Sequence, residues 1–242
     1  NTHDDKVIWG QLQMNGRHVP FVGSQQQKVL GKSGDDLRID WGYLYSMTPN
    51  EDARSALASP HRLRRGFAAD GQLSMTDTFD MGQPARRIAI ATAFELGSVG
   101  AEKISRSIIL AYDDLYSIEY LYRRLRPYWR RHGWNASDLL QAALNEQANV
   151  QQACEQLDEE LMTDLAQVGG TKYARLCALA FRQCLAAHKL VADIDDTPLF
   201  FSKENFSNGC TATVDVTYPA SPFYLLFNPE LLKGAMQPIL EY

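Results

Sequence analysis

Hydrophobic and polar positions alternate along the first half of the chain and then change period. Leu37, Ile39, Trp41, Tyr43 and Tyr45 alternate with Arg38, Asp40, Gly42 and Leu44, which predicts a strand with one aromatic face. Ile88, Ile90, Thr92, Phe94 and Leu96 alternate with alanines, predicting a second strand, and Ile108 and Leu110 suggest a third. Asn15-Gly16 is a hairpin signal between Gly10–Met14 and Arg17–Phe21. The segment 50–60 could hold a short helix.

From about residue 113 the apolar steps become three and four. Leu115, Ile118, Tyr122, Leu125 and Trp129 predict a helix capped by Asp113 or Asp114 and kinked by Pro127. A second helix follows Trp134, with Asn135 or Ser137 as cap and a stripe from Leu140 to Val168, ending at Gly169-Gly170. A third runs from Lys172 to Val191; its apolar middle, Leu176 to Ala187, predicts a central position. Two such helices joined by a tight turn form an αα-hairpin. Strands first and helices second imply an α+β protein or two separate domains rather than a parallel α/β sheet: an antiparallel β-sandwich portion over residues 1–112, then a helical domain over 113–242.

Composition changes little in this picture. The 242 residues are 45% hydrophobic and 22% charged, with a net charge of −5, which gives no support for a nucleic-acid partner. No apolar run is long enough for a membrane span. Charge is unevenly spread, with five arginines between residues 123 and 131 and seven acids but no Lys or Arg between 135 and 170. The plain reading is a solvated face, or the basic segment lying beside the acidic helix. The chain opens near a strand-like Val7-Ile8-Trp9 and ends in a helix-like Gln237–Tyr242, so it reads as a fragment that packs against the remainder of a longer chain.

Candidate chemistry concentrates in Leu199–Pro219, too polar for a core strand and too aromatic for a linker. Glu204 and Asp215 bracket it. Hydrolysis of an amide or a glycoside needs one group to protonate the leaving atom and another to activate water, and two carboxylates in different environments can divide that work. Each also has a structural reading, as an ion-pair partner or a cap. Asp193, Asp195 and Asp196 lack the glycine and closing glutamate of a calcium loop and read as an exposed turn. Cys184 and His188, four apart, read as a packed core position; no metal and no cofactor are expected. The four cysteines contain no paired spacing. Asn135-Ala136-Ser137 and Asn205-Phe206-Ser207 match the glycosylation sequon, although Asn135 is more simply a cap. No nucleotide-binding or serine-nucleophile motif occurs.

Ser105–Tyr120, Gly34–Leu44, Lys172–Ala180, His188–Val191, Phe201–Pro219 and Asn228–Gly234 together resemble the glutaminase A family of fungi and Bacteroides-type bacteria. The resemblance implies a secreted or periplasmic protein about three times longer, with a β-sandwich before an α/α toroid, that hydrolyses glutamine to glutamate and ammonia. Carried onto this chain, the family's polar segment is Ser202–Tyr218; by residue type within it, Asp215 is the candidate general acid or base, Glu204 its partner or a substrate ligand, and Lys203, Asn205, Asn208 and Tyr218 the candidates around the substrate. The alternatives are a glycoside hydrolase acting on a sugar through an aromatic-lined cleft, and a non-catalytic scaffold whose carboxylates are tied up in caps and ion pairs.

Overall fold

The computed structural model describes residues 4–32, 34, 39–73, 82–204 and 208–242. The chain is α+β, with antiparallel sheets followed by helical hairpins. It divides into two compact units. One comprises residues 1–29, 39–114 and 135–144; the other comprises 30–38, 115–134 and 145–242.

The first unit is built on a five-stranded antiparallel sheet. β1 (Lys6–Met14) and β2 (Arg17–Ser24) form the hairpin expected at Asn15-Gly16, longer than its apolar pattern suggested. β3 (Tyr43–Met47) lies between β2 and β7 (Ile109–Asp113), and β5 (Gln83–Pro84) closes the other edge. The aromatic alternation is real but shorter than expected: Trp41 precedes the strand, buried, and donates from Nε1 to Asp114 O at 2.6 Å. Leu37 and Arg38 of the expected strand lie outside the described residues.

Met14, Val19, Tyr45, Met47 and Ala111 form the core against Ala136 and Leu140. These last two come from the first turns of the long helical segment α2 (Ala136–Ala186). Burying Leu140 completely is worth about 2 kcal/mol. That helix starts where a reciprocal cap fixes it: Asn135 Oδ1 accepts from Ser137 N at 2.8 Å, while Asp138 Oδ2 accepts from Asn135 N at 2.9 Å.

Segment 50–60 forms a strand, not the expected short helix. β4 (Ala53–Ala58) pairs with β6 (Ala89–Phe94) along its whole length. The small residues of both strands, Ala56, Ala58, Ala89 and Ala91, make room for Leu63 of α1 (Pro60–Asp70). Ser59 caps that helix, accepting from Arg62 N.

In the second unit the expected helix from residue 113 to 129 is absent. Its place is taken by a β-hairpin, β8 (Ile118–Tyr120) and β9 (Arg123–Pro127), followed by 3-10 turns over Tyr128–Gly133. Leu121 and Tyr122 form the two-residue turn with φ of 46° and 64°, a backbone usually signalled by Asn or Gly. β10 (His188–Ala192) and β11 (Pro198–Ser202) complete a four-stranded sheet in the order β11-β10-β9-β8. The third helix therefore stops at Ala186 rather than Val191, because residues 188–192 gain a full ladder to 198–202.

α2 is broken at Gly170 (φ 79°, ψ 175°), where the expected helix end lies. The segment after the break is not central: Leu176 is 66% and Leu179 48% exposed, and only a narrow stripe including Ala174, Phe181, Cys184 and Leu185 is covered. Phe181 packs against Phe223 and Phe227 of α3 (Val214–Phe227) in tilted ring contacts, with centroids 4.5 and 5.4 Å away. α4 (Pro229–Leu240) follows α3 directly, and Asn228 both ends one helix and caps the next, its Oδ1 accepting from Leu231 N.

The arginine block lies on β9 and the turns after it, not at a helix end. Arg123 bridges Asp193 at 2.6 Å and Glu241 at 3.1 Å. Arg126, Arg130 and Arg131 lie over Tyr116, Trp129 and Tyr128. The aromatic density of this stretch thus serves cation–π packing.

Candidate active site

The polar run is strand, lobe and helix in succession. Leu199, Phe200, Phe201 and Ser202 are almost wholly buried in β11, which corrects the expectation that the run is too polar for a core strand. Leu199 and Phe201 join Ile118, Leu125 and Val191 on one face of the sheet. Phe200 turns to the other, against Ala220, Tyr224 and Ala235 of α3 and α4. Such alternation needs only the period of two.

After Ser202 the chain makes a narrow lobe and returns. Lys203 bridges Thr211 in antiparallel fashion, Glu204 N donates to Cys210 O at 3.2 Å, and Ala212 N donates to Ser202 O at 2.9 Å. Asn208 Oδ1 accepts from Cys210 N at 2.8 Å and shapes the turn. Lys203, Glu204 and Asn208 are thus held on one lobe, each partly exposed. Asn205 lies outside the described residues.

Two residues beyond the lobe, Thr213 starts α3 and Asp215 stands in its first turn. Asp215 is exposed and its carboxylate has no hydrogen bond or ion pair among the described residues. A carboxylate there also offsets the positive end of the helix dipole. Tyr218, 78% exposed, lines a groove of about 170 Å³ between α3 and α4 with Val214, Thr217, Ser221, Met236 and Ile239. Neither Glu204 nor Asp215 lines that groove.

Beneath the lobe lies a polar cluster of which periodicity gave only Cys184 and His188. His188 opens β10 and faces Ser202 across the ladder. Its ring stacks on Phe200 at 4.5 Å, and its Nδ1 lies 2.7 Å from Cys184 O and 3.2 Å from Tyr224 Oη. Burial pushes the Tyr224 phenol above its ordinary value, and the neighbouring Cys184 adds to this. His188 Nε2, Ser202 Oγ and Thr217 Oγ1 are buried without a hydrogen-bond partner among the described residues. The residue types were visible in the chain; their convergence required α3 to fold over β10 and β11.

Burial lowers the His188 pKa, partly opposed by its bond to Cys184 O. The folded protein therefore binds the proton less readily than the unfolded chain, whose imidazole titrates near 6.5. Stability is full above that value and falls as pH drops through it towards the depressed folded pKa. Denaturant midpoints should decrease from pH 8 to pH 5.5, and His188→Phe should flatten that dependence. An unchanged slope in the variant would show that His188 is not its source.

Asp193, Asp195 and Asp196 lie in the β10–β11 turn, where Asp195 Oδ1 accepts from Thr197 N at 3.1 Å. Among the described residues no group of three or more His, Cys, Asp or Glu could hold a metal ion. Among them, too, no helix is long and apolar enough to cross a membrane.

Residues 1–164 match the family described as "Domain of unknown function (DUF5127)" and residues 170–242 the "Glutaminase A six helical-hairpin domain". Glutaminase A of Aspergillus oryzae is 31% identical over 231 residues, 92% of this chain and 33% of that protein. A protein of Arthroderma benhamiae named "Probable glutaminase/05536" is 26% identical over 85% of this chain and 25% of its own length. The chain thus spans a third or less of the length of these relatives. No solved structure matches it. With both family matches running in order along the sequence, the chain belongs to the DUF5127-containing glutaminase A family.

Proposed function

We propose that the whole protein is a glutaminase-like amidohydrolase, converting L-glutamine and water to L-glutamate and ammonia. The observation that carries this reading is the match to Glutaminase A over 92% of the chain. The local geometry supports it. The lobe holds Lys203, Glu204 and Asn208 together, and the chain leaves it directly into the helical turn bearing Asp215.

In this reading Asp215 moves the proton between water and the leaving amine, and Glu204 is its partner or orients the substrate. Lys203, Asn205 and Asn208 bind the amino-acid head group or the side-chain amide, and Tyr218 closes one side. An unpaired carboxylate is free to exchange a proton, whereas one locked in an ion pair is not. Residues 1–112 complete a β-sandwich, the helices within residues 170–242 begin an α/α toroid, and the protein acts after secretion.

The test is ammonia release by the whole protein on L-glutamine, measured beside release of reducing sugar from oligosaccharides. Ammonia release with glutamine is the expected result. Sugar release without ammonia would replace this reading with that of a glycoside hydrolase.

A further inference from the structure

The strongest unassigned feature lies in the first unit. A cleft of about 750 Å³ is lined by Ser59, His61, Arg64 and Arg65 of α1 and its cap, and by Arg86 and Arg87 of the 3-10 turn at Ala85–Arg87. Gln83 and Pro60 complete the lining. The volume suits a small organic ligand. All five cationic or titratable side chains are exposed.

The charge arrangement opposes folding. α1 has no acid in its first turn; His61, Arg62, Arg64 and Arg65 occupy its N-terminal half, and its one acid, Asp70, is its last residue. A helix N-terminus favours negative charge and its C-terminus positive charge, so both ends are reversed. Helix stability alone gives no reason for this pattern.

Among the described residues, partners neutralise only part of it. Arg86 pairs with Asp4, and Arg87 Nη1 donates to Gln83 Oε1 at 3.4 Å. His61, Arg64 and Arg65 have no ion pair among the described residues. Arg64 lies three residues from His61 and Arg65 four, so all three share one helical face. Guanidinium groups from two separate elements can each engage an oxyanion in bidentate fashion. A ligand with at least two anionic groups meets both walls; a single small anion meets one.

We propose that this cleft binds a small polyanion bearing phosphate or sulfate groups, with Arg64 and Arg65 on one wall and Arg86 and Arg87 on the other. The cleft belongs to the first unit and the lobe that carries the hydrolase reading to the second, and the test of the cleft reads no ammonia.

The experiment is calorimetric titration of the chain with inorganic tripolyphosphate and, separately, with a short sulfated oligosaccharide, at about 50 mM salt. Binding of at least one probe is expected, weakened at least tenfold in R64Q/R65Q. The probe bound more tightly identifies the source of the anionic groups. R54Q serves as the charge control, because Arg54 pairs with Glu95 and lies outside the cleft. Removing the two misplaced charges should leave the thermal midpoint of R64Q/R65Q unchanged or raised, which separates lost binding from lost folding. Failure of both probes to bind, or equal weakening by R54Q, would overturn the proposal.

Discussion

Asp215→Asn should lower the turnover of glutamine by the whole protein at least about a hundredfold while changing KM little. A positioned acid or base contributes roughly 10²–10⁴ in rate, and the amide retains shape and hydrogen-bonding capacity but cannot exchange the proton. The rival role is much smaller. A first-turn carboxylate that only offsets the dipole of α3 is worth about 0.3–1 kcal/mol of stability and nothing in turnover. The two roles therefore separate by magnitude and by observable. Because Asp215 is exposed and unpaired among the described residues, the variant should fold, and its denaturant midpoint should move only slightly. Glu204→Gln should reduce turnover too if Glu204 is the partner acid, and should raise KM instead if it only binds substrate. A fully active Asp215→Asn protein would reduce Asp215 to a helix-end acid and leave the family assignment intact.

What could be read from the chain depended on how local the cause was. The β1–β2 hairpin was legible because Asn15-Gly16 carries its own turn chemistry, and the break in α2 because Gly170 adopts φ 79°. Residues 113–129 misled because Leu115, Ile118, Tyr122, Leu125 and Trp129 match helical steps by coincidence. Ile118 and Leu125 are in fact cross-strand partners, and Leu121-Tyr122 makes a left-handed turn without a turn-former. β10 reads as helix until Pro198–Ser202 is placed beside it, and that pairing is invisible to any window of periodicity. The same holds for the candidate site. The acids, lysine and asparagines of residues 203–215 stood out by type. That Lys203 meets Thr211, that Asp215 opens a helix, and that His188, Ser202 and Thr217 leave three buried polar atoms beneath follow only from the tertiary fold.

The largest stability effect should come from Gly42→Ala. Gly42 sits at φ 99°, outside the small left-handed region that alanine can reach at modest cost. A Cβ there would stand 2.2 Å from Asp113 O and 3.1 Å from Asp114 Cα. Both are backbone atoms at the end of β7, so no side chain can swing away. Relief requires Gly42 to move from Asp113, whose pairing with Tyr43 starts the β3–β7 ladder. It would also disturb Gly42 N→Gln27 Oε1 at 2.6 Å and Ser24 N→Gly42 O at 3.2 Å. Backbone strain of about 1–3 kcal/mol adds to the loss of these bonds, at about 1 kcal/mol each, for a total of roughly 4 kcal/mol. Gly71→Ala is the control: Gly71 also has a positive φ, 72°, but among the described residues nothing lies within 4 Å of its Cβ position. It should cost only about 1 kcal/mol. Urea denaturation of both variants, with hydrogen exchange across β2, β3 and β7, measures the difference. Equal midpoints would mean that the Asp113 contact relaxes at no cost; the expected result is early loss of protection in β3 and β7 for Gly42→Ala alone.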